Sequence, residues 1–90
     1  MPVVNFTANL RRHVQCPRTE ADGNTLAEVM DNVFAQYPFL RGYVVDDHGA
    51  LRKHMVIFVD GIAVADRRGL SDTLPCSDSE IYVMQALSGG

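Results

Sequence analysis

The sequence predicts an α+β fold in which a mixed sheet of four to five strands packs against one main helix on a single face. Three observations lead to this prediction. The chain begins with alternating apolar and polar residues, a strongly amphipathic helix follows, and the second half contains short runs of strand character separated by turns. A hairpin, a crossing helix and further strands together form one sheet layer and one helix layer.

The first predicted element is a hairpin with a loose loop. Apolar residues recur at a spacing of two from Val4 to Leu10, so Val3 to Leu10 is predicted as a half-buried strand. Residues 16–21 are predicted to form the return strand, and Asp22 to Asn24 is a strong turn signal.

The helix predicted over residues 26–37 has the clearest pattern in the sequence. Thr25 and Glu28 form a capping box ahead of it, and Pro38 ends it. Its apolar residues step by three and four and share one face, which must lie on an apolar surface. They are Leu26, Val29, Met30, Val33, Phe34 and Tyr37.

The connection over residues 38–54 has the weakest pattern. We expect Leu40, Tyr43 and Val44 to be anchored in the core and residues 46–49 to form an exposed turn.

Two strands joined by a tight turn follow this connection. Met55 to Val59 is rich in β-branched and aromatic residues, and Ile62 to Ala65 is its predicted partner. Asp60 and Gly61 between them are a hairpin turn, because the glycine tolerates positive φ.

The last strand is predicted over Ile81 to Ala86. Leu70 and Leu74 are expected to pin an irregular turn before it, and residues 77–79 form a second turn. The chain is therefore expected to form one domain over residues 1–86, with a flexible tail over residues 87–90.

Composition excludes several classes of protein. Its 90 residues are 47% hydrophobic and 21% charged, which is the balance of one ordinary globular domain. The formal net charge of -3 provides no basic surface for nucleic acid. No apolar run approaches the roughly 20 residues that span a bilayer. We therefore expect a soluble, cytoplasmic protein that binds neither nucleic acid nor membranes.

Candidate catalytic residues are sparse. His13, His48 and His54 lie in or beside predicted turns, and none has a second ligand at a spacing typical of a metal site. Cys16 and Cys76 lack the paired spacing of a zinc or redox site and are expected to be free thiols, since a disulfide would need an oxidising compartment. We assign no catalytic residue and no metal site.

The remaining unusual feature is the ending, where the last strand runs almost directly into Gly89 and Gly90. Such an ending is compatible with a frayed tail, because glycine ends are tolerated. It is also compatible with a tail that acts as a substrate, because residues without Cβ atoms can thread a narrow channel.

The whole chain resembles the MoaD/ThiS group of ubiquitin-like sulfur carriers, which have the β-grasp fold. The resemblance rests on the order of elements and on three segments, the capped helix TLAEVMDNVFAQYP, the strand IFVDG and the ending LPCSDSEIYVMQALSGG. The long connection over residues 38–54 is more similar to the cysteine-biosynthesis carriers called CysO than to the small subunits of molybdopterin synthase. Gln85 departs from the family, in which many members have proline before the tail.

The resemblance implies a function for the terminal carboxyl group of Gly90. An E1-like adenylating enzyme of the MoeB/ThiF type would use ATP to convert it into an acyl-adenylate, and a sulfur donor such as a sulfurtransferase or sulfide would then give a thiocarboxylate. A sulfur-accepting biosynthetic enzyme would consume the sulfur. The tail residues Leu87, Ser88 and Gly89 would present Gly90, and the carrier itself would be no enzyme and would bind no cofactor.

Strand alternation also predicts a surface for partners. Met55, Ile57, Val59, Ile81 and Val83 should face the helix. The opposite face then carries an exposed apolar patch, which is typical of a partner site. This patch consists of Val56, Phe58, Tyr82 and Met84. Flanking loops or a second copy of the chain are alternative covers for it.

Two rival functions use the same terminus and fold. The chain is alternatively a ubiquitin-like modifier joined through Gly90 to lysines of other proteins, or a non-catalytic subunit of a sulfur-transferring enzyme such as molybdopterin synthase. The sequence leaves the sulfur acceptor open.

Overall fold

A computed structural model describes residues 1–6 and 18–85. The predicted order of strand, strand, helix, strand, strand, strand is confirmed, with two short helical turns added after the main helix. The strands are β1 Val3–Phe6, β2 Thr19–Glu20, β3 Met55–Val59, β4 Ile62–Ala63 and β5 Glu80–Gln85. The helices are α1 Leu26–Gln36 and α2 Arg41–Val44, with the 3-10 turn Pro38–Leu40 between them.

The five strands form one mixed sheet in the order β2-β1-β5-β3-β4. The last strand in sequence, β5, lies in the middle of this sheet. It pairs in parallel with β1 and antiparallel with β3. The two edge strands, β2 and β4, have only two residues each and join their neighbours antiparallel.

The core lies between the sheet and α1. Met55, Ile57 and Val59 are buried on β3, as are Ile81 and Val83 on β5, which confirms the predicted alternation. The predicted apolar face of α1 is confirmed as well, and Tyr37 packs against it half-buried. The buried residues of α1 are Leu26, Val29, Met30, Val33 and Phe34.

The capping box at the start of α1 is confirmed. The Thr25 hydroxyl accepts a hydrogen bond from the Glu28 N–H at 3.3 Å, and the Glu28 carboxylate accepts one from the Asn24 N–H at 2.8 Å. Gly23 precedes this cap at a φ of 153°, and a Cβ there would lie 2.8 Å from Val29 Cγ2. The turn into α1 therefore needs a glycine at this position.

Several strands are shorter than predicted. Of the predicted strand Val3 to Leu10 the structure describes Val3–Phe6 as strand, and residues 7–10 lie outside the described ranges. The return strand is Thr19–Glu20, with residues 16 and 17 also outside them. β4 ends at Ala63 rather than Ala65. One further bond, from the Val64 N–H to the Ile57 carbonyl at 2.9 Å, joins this segment to β3, and the Ala65 N–H then donates to the Asp72 carboxylate.

The hairpin between β3 and β4 forms as predicted. Asp60 and Gly61 have φ values of 49° and 86°, so both central residues of the turn are in the left-handed region. This is the type I′ geometry whose twist matches that of the flanking strands. The final strand is Glu80–Gln85, one residue earlier than the predicted start.

The connection over residues 38–54 differs from the prediction at Tyr43. Leu40 and Val44 are fully buried, but Tyr43 is 43% exposed, so the expectation of an anchored Tyr43 was wrong. Because α2 is a single helical turn, Leu40 and Val44 lie one above the other toward the core, whereas Tyr43 lies on the flank. Asp47 and His48 are exposed in a turn, as predicted.

The predicted division into a domain over residues 1–86 and a flexible tail over residues 87–90 stays a prediction, because residues 86–90 lie outside the described ranges. Within the ranges described, no helix is both long enough and apolar enough to cross a membrane.

Candidate functional site

The base of the C-terminal segment is fixed by the middle of the sheet. Val83 on β5 lies between Phe6 on β1 and Ile57 on β3, and Gln85 lies opposite Met55, the first residue of β3. The chain thus leaves the sheet from its central strand, which is paired with β1 as far as Val83 and with β3 as far as Gln85. The predicted functional residues beyond it, Leu87, Ser88, Gly89 and Gly90, lie outside the described residues.

The predicted partner surface lies on the face of the sheet opposite α1. Phe58 is directly opposite Tyr82 in the β3–β5 register, and Val56 is opposite Met84. Tyr82 is 45% exposed, as expected. Val56, Phe58 and Met84 are half-buried, so they are less exposed than the sequence predicted. Side chains directly opposite each other on antiparallel strands shield one another, which accounts for the difference. We call these four residues the open-face patch.

A polar cluster lies beside this patch, where β1 and β5 begin. Asn5 donates through Nδ2 to the Glu80 carboxylate at 2.8 Å, and Arg18 donates to Asn5 Oδ1 and to the Glu80 carboxylate, both at 3.1 Å. Asn5 and Tyr82 are register partners on adjacent strands, so this cluster borders the apolar patch. The open face is therefore apolar toward the tail end of β5 and polar toward its start.

The structure also shows a basic cleft that the sequence analysis missed. It has a volume of about 490 Å³ and lies just before β3, next to the end of β5. Its basic lining comes from two segments of the chain, residues 52–54 and Arg67, which are brought together by hydrogen bonds between them. We call Arg52, Lys53, His54 and Arg67 the basic cleft; Leu51 and Asp46 complete its lining.

Two loops are held by carboxylates that accept several hydrogen bonds. The Gly69 N–H, the Ser71 hydroxyl and N–H and the Arg68 N–H bind Asp66, and they lower the pKa of its carboxyl group from 3.8 to about 2. The N–H groups of His48 and Ala50 lower the pKa of Asp46 in the same manner. Stabilisation of the charged form by donated hydrogen bonds is the cause in both loops. Their many internal hydrogen bonds give both loops a fixed shape.

The histidines and the described cysteine do not gather into a site. His48 and His54 are exposed, and His13 lies outside the described ranges. Cys76 is an exposed free thiol in the turn before β5. In residues 1–6 and 18–85, no three side chains of His, Cys, Asp or Glu lie close enough together to hold a metal ion.

Comparisons with solved structures identify proteins of the same architecture. CysO of Amycolatopsis orientalis, solved as a BexX/CysO complex, matches with a TM-score of 0.82 at 22% identity over 100% of both chains. CysO of Mycobacterium tuberculosis, described as an antigen, matches with a TM-score of 0.80 at 22% identity over 97% of this chain and 100% of its own. The chain has the β-grasp fold.

A third structure widens the set of β-grasp proteins that the chain resembles. Small archaeal modifier protein 1 of Methanosarcina acetivorans matches with a TM-score of 0.78 at 24% identity over 99% of this chain and 95% of its own. No protein-family model and no curated protein matches the sequence. The fold predicted from the sequence, a β-grasp domain in the manner of ubiquitin-like sulfur carriers, is thereby confirmed as a fold.

Proposed function

We propose that this protein is a sulfur carrier whose reactive group is the carboxyl group of Gly90. The observation that carries the proposal is a Gly89-Gly90 ending that follows, after three residues, the central strand of a fold shared end to end with CysO. We place the reaction in the cytoplasm, with an E1-like enzyme of the MoeB/ThiF type as the activating partner.

The chemistry proceeds in two steps on the same carbonyl carbon. The Gly90 carboxylate attacks the α-phosphorus of ATP, which gives an acyl-adenylate and releases pyrophosphate. Hydrosulfide then adds to the acyl carbon and displaces AMP. In this step a C–S bond forms, the C–O bond to AMP breaks, and one proton is released to solvent. A sulfurtransferase persulfide is the alternative source of the sulfur: its terminal sulfur displaces AMP, and a thiol then reduces the resulting acyl disulfide, which releases the thiocarboxylate and leaves a disulfide between the thiol and the sulfurtransferase. The thiocarboxylate is the form in which the carrier passes sulfur to an accepting biosynthetic enzyme.

The position of β5 supports this role. β5 is paired with β1 as far as Val83 and with β3 as far as Gln85, so the tail starts from a strand held in the middle of the sheet, whereas an edge strand would let its base fray. The tail beyond Gln85 has five residues, 86–90, so when fully extended it reaches up to about 18 Å from the sheet. That reach is enough to place the carboxyl group inside the active site of another protein while the domain stays on its surface.

The glycines at the end suit both steps. Without a Cβ atom, Gly90 would leave its carbonyl carbon open to attack from either side, and a glycine at position 89 can enter a narrow channel without steric cost. The carrier supplies no acid or base in this scheme, because the activating enzyme provides the catalytic groups.

Mass spectrometry tests the proposal directly. The purified chain is incubated with the E1-like enzyme of the same organism, ATP and sulfide, and then digested with trypsin. Since the last basic residue is Arg68, the C-terminal peptide spans residues 69–90 and contains both Gly90 and Cys76. A thiocarboxylate replaces one oxygen by sulfur, whereas a persulfide on Cys76 adds a whole sulfur atom, so the two products differ in mass.

Two variants complete this test. Cys76→Ser should gain the oxygen-to-sulfur mass change at the same rate as the parent, because the exposed thiol takes no part. Deletion of Gly90 moves the carboxyl group back by up to about 3.6 Å and should abolish adenylation, since misplacing reacting atoms by about 1 Å already costs roughly a hundredfold in rate. The proposal fails if the Gly90-deleted chain is activated as fast as the parent.

Conjugation to lysines is the second candidate function, favoured by the match to small archaeal modifier protein 1. The same activated Gly90 would form an amide bond with a lysine amino group and release AMP. Target peptides from cells would then carry residues 69–90 of this chain on a lysine after tryptic digestion. Free thiocarboxylate without such branched peptides favours the carrier function.

A further inference from the structure

The basic cleft carries cations that the domain leaves without counterions. Arg18 and Arg41 are the arginines paired with carboxylates, Glu80 and Asp31 respectively, among the residues that the structure describes. In those same residues no carboxylate lies within 4.0 Å of the charged groups of Arg52, Lys53 or Arg67, which all line the cleft. A chain of net charge -3 thus concentrates unpaired positive charge at one place.

Two of these cations are held in fixed positions. Arg67 donates through Nη2 to the Met55 and Arg52 carbonyls at 2.7 and 2.9 Å. The Arg52 guanidinium donates through Nε to the Gly42 carbonyl at 2.7 Å. Arginines held by neutral carbonyls keep their full charge and lose little further side-chain freedom when they bind an anion. The cleft is therefore preorganised, with exposed Lys53 and His54 at its mouth.

The one carboxylate in the cleft does not cancel this charge. Asp46 already accepts the N–H groups of His48 and Ala50 at 2.8 and 3.1 Å. Three permanent cations line the cleft together with this one carboxylate, without counting His54. The cleft therefore retains a net positive charge.

The charges at the two ends of the sheet are opposite. The cleft adjoins Met55, which is the register partner of Gln85 at the end of β5. At the start of β5, Glu80 and Asp60 exchange two hydrogen bonds through their N–H groups, and exposed Asp78 lies just before Glu80. Arg18 is paired with Glu80 there, so Asp60 and Asp78 provide the excess negative charge. The domain is thus positive where the tail leaves the sheet and negative at the other end.

We propose that the basic cleft binds an acidic segment of the activating enzyme and aligns the domain as the tail enters that enzyme. This inference rests on the proposed function. Charge complementarity favours an acidic protein surface as the occupant, because the cleft borders the tail exit and opposite charges steer a correctly oriented encounter. The ATP consumed in the reaction is a poorer fit, because its α-phosphate must meet Gly90, which is up to about 18 Å of extended tail away from Gln85.

Binding to the same E1-like enzyme, measured without ATP, tests the cleft separately from the chemistry. Lys53→Gln removes one charge from an exposed side chain, and Lys53→Glu reverses it. We expect Lys53→Gln to raise Kd by about two- to fivefold at low salt, the range of a single exposed ion pair. Lys53→Glu should have a larger effect. Both effects should largely disappear between about 0.01 M and about 1 M salt, as the Debye length falls from roughly 30 Å to roughly 3 Å.

Ser77→Asp is the matched control. It makes the net charge one unit more negative, as Lys53→Gln does, but at an exposed residue before the start of β5. Its Kd should equal that of the parent. If Ser77→Asp and Lys53→Gln weaken binding equally, net charge rather than the cleft is responsible, and the inference is overturned.

The Gly90-deleted chain separates this inference from the proposed function. It should compete with the parent for the enzyme although it cannot be activated, and its Lys53→Glu form should compete less well. If the parent is activated but Lys53→Glu binds with unchanged Kd at low salt, the proposed function stands and the cleft inference fails. If ATP alone competes with the Gly90-deleted chain and Lys53→Glu abolishes that competition, the cleft binds phosphate and the acidic-segment inference is wrong.

Discussion

Ser71 donates its hydroxyl proton to the carboxylate of Asp66 at 2.6 Å, and this bond closes the loop between β4 and the last turn. The N–H groups of Arg68, Gly69 and Ser71 point at the same carboxylate. The loop also carries Leu70, which is buried at a positive φ of 53°. The Leu70 N–H donates to the Asp66 carbonyl, and the Leu70 carbonyl accepts a hydrogen bond from the Ala27 N–H. One charged side chain therefore holds a strained backbone against α1.

We expect the loop to weaken in acid through Asp66. Its folded-state pKa of about 2 lies below the usual 3.8, so the charged form is favoured by folding. This contribution is complete above pH 3.8 and is lost as the pH falls toward about 2. Asp66→Asn should lower the Tm at neutral pH. In thermal melts, the difference in Tm between the parent and Asp66→Asn should become smaller as the pH falls from 3.8 toward about 2. Asp47→Asn, which removes the same charge from an exposed turn residue, is the control and should show no comparable difference.

Gly23 and Gly42 should respond oppositely to a methyl group. At Gly23 a Cβ would lie 2.8 Å from both the Val29 N atom and its Cγ2, and the φ of 153° disfavours side chains, so Gly23→Ala should cost about 1 to 3 kcal/mol. At Gly42 nothing lies within 4 Å and the residue is helical, so Gly42→Ala should gain roughly 0.5 to 1 kcal/mol. Denaturant unfolding measures both. If Gly23→Ala and Gly42→Ala change the free energy of unfolding equally, the turn at Gly23 does not pack against α1 as described.

Truncation of Phe34, the one aromatic residue of α1, should strongly destabilise the fold. Phe34 is 5% exposed, and the Arg41 guanidinium lies 5.5 Å from its ring centroid. Phe34→Ala should leave a cavity and lower the free energy of unfolding by roughly 3 to 5 kcal/mol. Phe39, which is 51% exposed, is the control. Phe39→Ala should change the free energy of unfolding by about 0.5 kcal/mol or less. A near-parental melting curve for Phe34→Ala would show that the register of α1 is wrong.

The sequence predicted those elements whose burial follows a local period. The stripe of α1 and the alternation on β3 and β5 are visible without knowing the partner, because one helix face and one strand face are buried whatever lies on them. Tyr43 was misplaced for the opposite reason. Whether a tyrosine next to two buried residues enters the core depends on how one short helical turn is rotated, and no repeating pattern fixes that rotation.

The basic cleft was missed for a related reason. Arg67 reaches residues 52–55 across more than ten positions of sequence, and the hydrogen bonds from its side chain to two backbone carbonyls create the cleft. Composition gave only the net charge of -3, which averages the positive and negative ends of the sheet. The Gly89-Gly90 ending could be identified from the sequence because its chemistry depends on residue type and not on tertiary contacts.

Tyr82 is the residue of the open-face patch that we expect to anchor the activating enzyme. Tyr82 is the most exposed member of the patch, whereas Phe58 opposite it is half-buried and supports the sheet. Tyr82→Asp should therefore keep the fold, with a small change in Tm, and weaken binding to the activating enzyme by about 2 kcal/mol, the cost of removing an interface anchor. Phe58→Asp should lower both the Tm and the affinity.

Ile62→Asp is the matched control for this prediction. Ile62 is 71% exposed on the edge strand β4, so the change removes a comparably exposed apolar side chain and adds the same charge outside the patch. Its affinity for the enzyme should equal that of the parent in titration calorimetry. If Ile62→Asp weakens binding and Tyr82→Asp does not, the enzyme contacts the β4 edge instead of the open face. The patch would then serve another partner or a second copy of the chain, and sedimentation of the parent at increasing concentration distinguishes these two.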